Sequence, residues 1–423
     1  MTLFDDLIDV NRRTVNLLEV ENDSGGTRVL AEAKISQTPT TQKVSPDEPR
    51  MDYKELENAY IFDPIIFNMI NKTTQTIMSA GHEIYAKDEK SLKRIQEFVD
   101  NIGNVGGDMT WEEYLESCFK NMGIFGWQWS ELVQNEDMSK IYDLVVIDPK
   151  RMDYVKNSSG KIALNDFGKP LGYTHKLPWS FSSKSKGDKL PENTILGDNE
   201  IFIKPERIAL FKLYTVGDGF YPIGLIEPGY KSTLRKMNIE EAQSNSIYAR
   251  GTYPIIDYVG NIDHQPSPDM IQNATEKLKN LAHHRYFAFP YWHKIEPIEV
   301  KQSEVVDKTL EHLRQNQIAP SGMPMAFATG AGEQTNRATL TNQQALWEFT
   351  LNYFVSRVIS SIRKYVFKPI CEKEGLKEVP TIKWGNISAE EINDKAKRLY
   401  MYTKYGILKP EEVNAFVKKS EQI

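Results

Sequence analysis

The chain has 423 residues, of which 40% are hydrophobic and 26% charged, and its formal net charge is -6. This length accommodates two or three domains with a sizeable core, and the lack of a basic excess argues against tight wrapping of nucleic acid. No apolar run approaches the roughly 18 residues that a membrane helix needs, and the N-terminus lacks a signal-peptide pattern. We therefore expect a protein that folds in the cytoplasm and does not enter a membrane.

The two cysteines, Cys118 and Cys371, lie far apart in the sequence and within helical apolar patterns. Buried apolar surroundings suit a free thiol, and disulfides are rare in a reducing cytoplasm. We expect two buried free thiols and no structural disulfide.

The N-terminal third begins with a polar segment and then becomes regular. Residues 1–50 end in the proline-containing stretch SQTPTTQKVSPDEPR, which predicts a flexible N-terminal arm. After Asp63, apolar residues recur every three or four positions and predict a helix that starts at Pro64. A strand over 82–86 and helices over 92–102 and 111–122 complete an α/β unit.

Between 126 and 214 the apolar period shifts towards two. Strands are predicted at 144–148, 152–155 and 201–203, with a turn at 157–160 and a solvated loop at 179–193. Trp127 and Trp129 alternate on one further strand. Because no basic residues flank them, core packing is favoured over stacking on nucleic-acid bases.

Two helices, 230–250 and about 303–317, are polar nearly all round and enclose a small module. Polar helices of this kind pack against other polar helices or bridge domains. The module from 254 to 300 has predicted strands at 255–259, 285–289 and 295–300. Its helix has Ser267 as N-cap, and we expect four inward residues on that helix, which are Ile271, Ala274, Leu278 and Leu281.

The segment from Ile318 to Leu340 is a long predicted loop of small residues that leads into the strongest amphipathic helix. Loops of this length without structure of their own are usually functional or disordered. The helix, over about 338–368, has an apolar stripe from Trp347 to Tyr365, and Pro369 marks its expected end. A strand at 381–384 follows, and then a helix with Gly406 as the residue after its C-cap.

Sequence motifs of catalytic, phosphate-binding or metal-binding sites are mostly missing. The chain contains neither a phosphate-binding loop nor a nucleophile elbow, and the spacing of His283, His284 and His293 favours solvated histidines over a zinc site. Glu299 and Lys301 form an E-x-K pair, as at the end of a nuclease signature. We expect no catalytic residue, no metal and no cofactor.

Four sequence groups in a fixed order resemble the portal, or head–tail connector, proteins of tailed viruses. GFYPIGLIEPGYKSTLRK (219–236) resembles the entry to the first stem helix, and ARGTYP (249–254) resembles its exit, with one residue inserted before Pro254. YFAFPYWHKIEPIEV (286–300) is similar to the clip strands, and ATGAGEQTNRATLTNQ (328–343) to the tunnel loop. The resemblance covers roughly residues 55 to 420.

The resemblance implies an α+β portal fold. Its parts would be an arm (1–50), a wing (51–216), a first stem helix (217–250), a clip (251–300), a second stem helix (301–317), a tunnel loop (318–337), a long wing helix (338–375) and a crown (376–423). It also implies a ring of about twelve copies that forms a channel for double-stranded DNA at one capsid vertex of the virion. The implied partners are the terminase large subunit, major capsid and scaffold proteins, and a head–tail adaptor.

Site residues follow from the same resemblance. The expected DNA-facing residues of the tunnel loop are Ser321, Gly322, Met323, Thr329, Glu333, Gln334, Thr335 and Asn336. The expected subunit contacts of the stem are Lys231, Arg235, Glu240, Glu241, Glu304, Lys308, Glu311 and Arg314. The expected docking residues of the clip are Asp263, His264, Lys277 and Lys279.

The loop 319–336 contains one acidic residue, Glu333, and no lysine or arginine. A basic loop would hold DNA by counterion release, whereas this loop would let DNA slide. Alternatives stay open: the loop as a surface connection that contacts nothing, Met323 and Met325 packed against the long helix, a metal-dependent nuclease that uses Glu299 and Lys301, or another ring-forming virion scaffold.

Overall fold

A computed structural model describes most of the chain from residue 47 onwards. The described residues are 47–104, 108–135, 137–177, 187–197, 199–251, 255–259, 265–279, 293–297, 304–330, 337–385, 387, 400–401 and 403–405. The predicted flexible arm is therefore largely outside the described residues, as are the predicted strand at 285–289 and the predicted helix end at Gly406.

Helices are numbered here in chain order. They are α1 (Tyr53–Phe62), α2 (Pro64–Ser79), α3 (Glu89–Asp100), α4 (Trp111–Phe125), α5 (Tyr230–Gly251), α6 (Pro268–Lys279), α7 (Glu304–Ile318), α8 (Met325–Thr329), α9 (Arg337–Ile362) and α10 (Lys368–Glu374). The helices predicted near 64, 92, 111, 230, 268, 303 and 338 are all confirmed. The sequence reading missed α1.

Strands pair only in antiparallel fashion among the described residues. They are β1 (His82–Tyr85), β2 (Trp127–Gln134), β3 (Ile141–Ile147), β4 (Met152–Tyr154), β5 (Lys156–Asn157), β6 (Tyr173–Lys176), β7 (Thr194–Ile195), β8 (Glu200–Ile203), β9 (Ile208–Lys212), β10 (Ile255–Val259), β11 (His293–Pro297) and β12 (Thr381–Trp384). The two three-stranded sheets have the orders β3-β2-β9 and β4-β6-β8, and the pairs are β1-β12, β5-β7 and β10-β11. The hairpin-rich region predicted from 126 to 214 is confirmed.

Local capping explains where the first helices begin. Asp63 ends α1 and also caps α2, because its Oδ1 accepts hydrogen bonds from the backbone N–H of Ile65 at 2.9 Å and of Ile66 at 3.2 Å. Thr110 and Glu113 form a capping box at the start of α4. These side chains mark the helix boundaries through hydrogen bonds between residues close in sequence.

One large core joins α1–α4, the β2 sheet and the long helix. Trp127 and Trp129 are fully buried and lie 4.9 Å apart edge to face, so the core interpretation is confirmed. On α9 the stripe from Trp347 to Ile362 is buried, also as predicted. Cys118 and Cys371 are buried free thiols.

Strand β12 returns the chain to the wing. It pairs with β1 over the register His82 to Trp384, and Ile382 and Ile387 belong to the main core. His82 stacks on Trp384 at 4.9 Å and its Nε2 accepts a hydrogen bond from the indole N–H of Trp111 at 2.8 Å. Residues 381–384 therefore pack with the main core, and a crown that starts at residue 376 stays a prediction.

Pro369 does not end the long helix, which corrects the prediction from sequence. A π-helical turn from Arg363 to Phe367 connects α9 to α10, and Pro369 lies in the first turn of α10. A proline in a continuous helical segment removes one backbone hydrogen bond, and here it directly follows the π-helical irregularity. The helical segment ends instead at Gly375, which has a φ of 65°.

The described end of the N-terminal arm is attached to the wing. Arg50 pairs with Glu227 at 2.8 Å and donates to the carbonyl of Tyr221 at 2.9 Å, while Asp47 accepts a hydrogen bond from the N–H of Ile162 at 3.1 Å. Residues 47–50, which were predicted as the end of the arm, therefore contact the folded part of the chain.

Candidate functional site: stem, junction and tunnel segment

Helices α5 and α7 pack against each other as the two predicted stem helices. Their shared face buries Thr233 and Lys236 on α5 and Leu310, Leu313 and Gln317 on α7. The faces turned away from this contact are exposed and charged. They include five of the predicted subunit contacts, which are Lys231, Arg235, Glu241, Lys308 and Glu311.

Two further predicted contacts bind each other within one chain. Glu240 of α5 accepts a hydrogen bond from Arg314 of α7 at 3.3 Å, and both side chains are 41% exposed. A half-exposed pair of this kind contributes little to stability. Within one chain this pair connects the two helices, and the predicted role of its residues between subunits stays a prediction. The side chain of Glu304 lies outside the described residues.

The base of the stem is joined to the wing by a buried polar cluster that the sequence reading missed. The Nζ of Lys236 lies 2.6 Å from Oδ2 of Asp63, and the two side chains are 3% and 0% exposed. The amide nitrogen of Gln317 donates to Asp63 and to Thr233, each at 3.0 Å. We call Asp63, Thr233, Lys236 and Gln317 the junction cluster.

The junction cluster ties three helices together, because its members come from the start of α2, from α5 and from the end of α7. Buried charges are tolerated only when they are paired and hydrogen-bonded. Here the Asp63 carboxylate has four donors, which are two backbone N–H groups, an ammonium and an amide. The spacing Thr233–Lys236 signals one helix face, but only the tertiary structure places that face against Asp63.

The predicted tunnel loop, residues 318–337, begins directly after Gln317, and its first half contains regular secondary structure. A 3-10 turn (Ala319–Ser321) is followed by Gly322 in the left-handed region at φ 66° and then by α8. Asn68 of α2 donates to the carbonyls of Phe327 at 3.2 Å and Ala328 at 2.6 Å. The ring of Phe327 packs on Trp347 at 5.8 Å. The prediction of an unstructured loop over this half is wrong.

This order corrects two of the predicted DNA-facing residues. Ser321 is 1% exposed and Met323 is 5% exposed. The Ser321 hydroxyl donates to the carbonyl of Ile318 at 2.7 Å and accepts from the N–H of Met323 at 3.1 Å. Both side chains therefore make their contacts inside the fold. Met323 belongs to the main core, in agreement with the alternative that it packs inward.

The remaining predicted loop residues are not contradicted. Gly322 and Thr329 are exposed, and the Thr329 hydroxyl donates to the carbonyl of Met325 at 2.9 Å. Four residues lie outside the described part of the chain, which are Glu333, Gln334, Thr335 and Asn336. The DNA-facing role of these six positions stays a prediction.

The clip module is described only in part. Strands β10 and β11 pair from Ile255 to Val259, and the Ser267 hydroxyl accepts from the N–H of Met270 at 3.3 Å, which confirms the predicted N-cap of α6. Ile271, predicted inward, is 48% exposed in the single chain. The docking residues Asp263 and His264, and the side chains of Lys277 and Lys279, lie outside the described residues.

One exposed face of the long helix was not predicted as functional. Leu346 and Phe349 are 67% and 72% exposed, and Tyr353, which stacks on Tyr214 at 5.5 Å, is 43% exposed. The exposed positions of this face carry no charge, and they are Asn342, Ala345, Leu346, Phe349, Asn352, Tyr353, Ser356 and Ser360. The sequence did contain a signal for this uncharged face, because Glu348 is the one charged residue between Arg337 and Arg357.

The described residues lack two other kinds of feature. Within them, no three histidine, cysteine or acidic side chains come together as metal ligands would. Nor does any helix in this part of the chain combine the length and apolarity needed to cross a bilayer. Glu299 and Lys301, the nuclease-like pair, lie outside the described residues.

The fold is similar to that of proteins in the necks of phage-like particles. The neck of an empty gene transfer agent particle, computed with C6 symmetry, matches with a TM-score of 0.57 and 14% identity, covering 88% of this chain and 94% of that chain. The neck of the native particle, computed with C12 symmetry, matches with a TM-score of 0.56 and 13% identity, covering 86% and 92%. A portal protein of the HK97 phage family from Corynebacterium diphtheriae gives a TM-score of 0.48 and 12% identity over 78% and 94%.

The sequence itself matches the family model described as the portal protein of Mu bacteriophage, over residues 53–419. None of the curated protein sequences matches the chain. The matched family defines the class, which is a portal protein, a structural component of a virion. The chain belongs to the portal protein family of bacteriophage Mu.

Proposed function

We propose that copies of this chain form a closed ring of about twelve subunits at one capsid vertex, with a central channel for double-stranded DNA. The observation that carries this proposal is the pair of stem helices, whose charged outer faces have no core to enter in a single chain. Copies of the same faces around a ring would pair with each other in a heterologous contact that closes. The C12 symmetry reported for the similar neck structure supports this number.

The uncharged face of α9 supports the same arrangement. Exposed patches with large apolar side chains mark interaction surfaces, and interface cores are depleted in charged residues. Leu346 and Phe349 are the two most exposed large side chains on this helix. A neighbouring copy is the partner that every member of a ring meets, so we place this face at the wing contact between subunits.

The first experiment measures the mass and symmetry of the purified chain by native mass spectrometry and negative-stain imaging. A closed ring of about a dozen copies with a central hole supports the proposal. Phe349→Glu, with the outward Glu97→Lys of α3 as control, tests the wing contact, because a carboxylate at a buried subunit interface weakens association. A stable monomer for the unsubstituted chain in the presence of scaffold and capsid proteins contradicts ring formation.

Within the ring, segment 319–336 would face the DNA through Gly322, Thr329 and the four residues from Glu333 to Asn336. Its lack of basic residues would favour sliding over retention. Glu333→Lys is expected to slow packaging and to increase the salt dependence of DNA retention, whereas Glu97→Lys on the wing leaves both unchanged. Equal packaging rates for the two variants would contradict a DNA-facing segment.

The clip would dock the terminase large subunit during packaging and a head–tail adaptor afterwards, while the wing would meet major capsid and scaffold proteins. Assembly in the host cytoplasm and a final place in the virion fit this sequence of events. Reversing two clip charges, with Lys277→Glu and Lys279→Glu, is expected to weaken terminase binding and to leave ring formation intact. The matched control reverses Lys90 and Lys93 on α3. Unchanged terminase binding would contradict the proposal that Lys277 and Lys279 dock the terminase.

A further inference from the structure

A half-open cleft in the wing has a volume of about 780 Å³. It lies between the loop 215–220, which leads from β9 to the stem, and the C-terminal end of α9 with the π-helical turn. Volumes of this size are typical of sites for small molecules or short segments. The proposed channel gives this cleft no role.

The cleft is cationic. Its lining contains four basic residues, Lys169, Lys212, Arg357 and Lys364, and two acidic residues, Glu206 and Asp218. The whole chain has the opposite balance, with 52 basic and 58 acidic residues. The positive sign is therefore a local property of this cleft.

Lys212 is the central cation. Its ammonium donates to the carbonyl of Phe220 at 2.6 Å and lies 5.3 Å from the ring centre of Tyr154 and 5.9 Å from that of Phe220. No carboxylate of the described residues is within ion-pair distance of it. Burial lowers the pKa of Lys212 to about 8, as expected for an ammonium whose lost hydration is not replaced by an anion.

Arg357 adds a second unsatisfied cation. One of its terminal nitrogens, Nη2, donates to the carbonyl of Lys212 at 3.2 Å, which connects α9 to β9. Its Nε is buried and has no hydrogen-bond partner among the described residues. A buried donor without an acceptor is costly, and the cost is larger for a charged group. Both cations line the same cleft, so an oxyanion bound there would lie in the positive field of the two.

The walls of the cleft favour an apolar group beside that oxyanion. Tyr154, Tyr173, Phe220 and Tyr365 line it together with Pro170 and Pro205. Duplex DNA presents its phosphates along a rigid, regularly charged rod, which a concave cleft accommodates poorly. A flexible peptide can place one carboxylate on the cations and an adjacent aromatic or aliphatic side chain on the tyrosines.

We propose that this wing cleft is a binding site for a short acidic peptide segment of a partner protein, in which an aspartate or glutamate beside an apolar residue contacts Lys212 and Arg357. The site does not depend on ring formation or on the DNA channel. Since the loop 215–220 continues into the stem entry, the bound segment would also contact the connection between wing and stem.

The test uses the full chain and a fluorescein-labelled peptide amide of sequence SFDLG, with the asparagine peptide SFNLG as its neutral counterpart. Fluorescence anisotropy at pH 7 is expected to give saturable binding of SFDLG and at least ten-fold weaker binding of SFNLG. Lys212→Met and Arg357→Met are each expected to weaken SFDLG binding at least ten-fold. The control Lys120→Met, a lysine of α4 outside the cleft, leaves the affinity unchanged.

A second measurement works on the unsubstituted chain in case a variant does not fold. Acetylation of lysines, mapped by mass spectrometry, is expected to slow at Lys212 and not at Lys120 when SFDLG is present. Equal binding of the two peptides, absence of binding at millimolar SFDLG, or binding that ignores Lys212→Met with no protection of Lys212 would each overturn the site. Displacement of SFDLG by inorganic phosphate at an equal concentration would overturn the peptide class.

Discussion

The junction cluster allows a prediction in which two substitutions in one ion pair have unequal effects. Asp63→Asn keeps the side-chain shape and an oxygen that can cap α2, but it removes the negative charge next to the Lys236 ammonium. That ammonium is 3% exposed, and the remaining carboxylate in reach is Glu240 at 3.9 Å. Leaving a buried charge without its partner typically costs about 3 to 5 kcal/mol, and we expect this loss in the free energy of unfolding.

Lys236→Met is expected to cost less, roughly 1 to 3 kcal/mol, because the Asp63 carboxylate keeps three hydrogen-bond donors. Methionine also preserves most of the buried volume. The double variant leaves no unpaired ammonium, so its loss should be smaller than the sum of the single losses by about 1 to 3 kcal/mol. Glu240→Gln is the control, since a half-exposed carboxylate contributes less than about 1 kcal/mol.

The assay is urea unfolding of unassembled chain, followed by tryptophan emission from the wing core and by far-UV circular dichroism. Coincident transitions permit a single free energy for each variant. The reasoning is refuted if Lys236→Met costs more than Asp63→Asn, or if the two losses add to within about 0.5 kcal/mol. Either result would mean that the cluster does not act as one buried ion pair.

Three further predictions concern the wing. Gly224→Ala is expected to destabilise the chain by at least about 2 kcal/mol, because a Cβ there would lie 2.6 Å from the carbonyl oxygen of Ile124; a thermal midpoint equal to that of the parent chain would contradict this. Burial lowers the pKa of His82, so the unfolded chain binds the proton more readily and stability should fall as the pH drops below about 6.5. Thermal midpoints from pH 7.5 to 5.5 test this, and His82→Gln should reduce the decline, whereas an identical decline would exclude His82 as its cause. Burial also raises the pKa of the thiols of Cys118 and Cys371, so a thiol reagent should label neither in the native chain and both in urea.

Local sequence patterns were sufficient to predict those helices and strands that bury one face. The stripe on α2 and the stripe from Trp347 on α9 were read correctly because apolar residues at helical spacing have few alternatives in a soluble chain. The alternation of Trp127 and Trp129 identified β2 for the same reason. Capping by Ser267 could be read from the serine–proline pair alone.

Features that depend on distant contacts could not be read in this way. The pairing of β1 with β12 joins segments almost 300 residues apart, and neither strand carries a local signal for its partner. Ser321 looked solvent-facing because small polar residues are typical of loops, but a 3-10 turn and Gly322 direct its hydroxyl inward. Pro369 was misread because apolar periodicity does not reveal a π-helical turn.

In the candidate site, too, the sequence predicted what local patterns determine and missed what distant contacts determine. Arg235 and Glu241, predicted as subunit contacts, are exposed, as a polar helix requires of most of its charges, and their contact role stays a prediction. Lys236 was passed over as one more lysine on that helix. Its partner Asp63 comes from an element more than 150 positions earlier in the sequence, and only the folded chain brings the two together.

The pairing of β1 with β12 also affects the order of events during synthesis. The first strand of the wing, His82–Tyr85, has to wait for Thr381–Trp384, and the main core includes residues from Leu56 to Ile387. At about 5 to 20 residues per second, translation of the intervening segment takes tens of seconds. During this time some apolar residues of the core stay exposed to solvent, because the residues that pack on them have not yet been made. We therefore expect the nascent chain to associate with chaperones late into translation. Complete wings, and with them ring assembly, should arise only from chains whose synthesis is nearly finished.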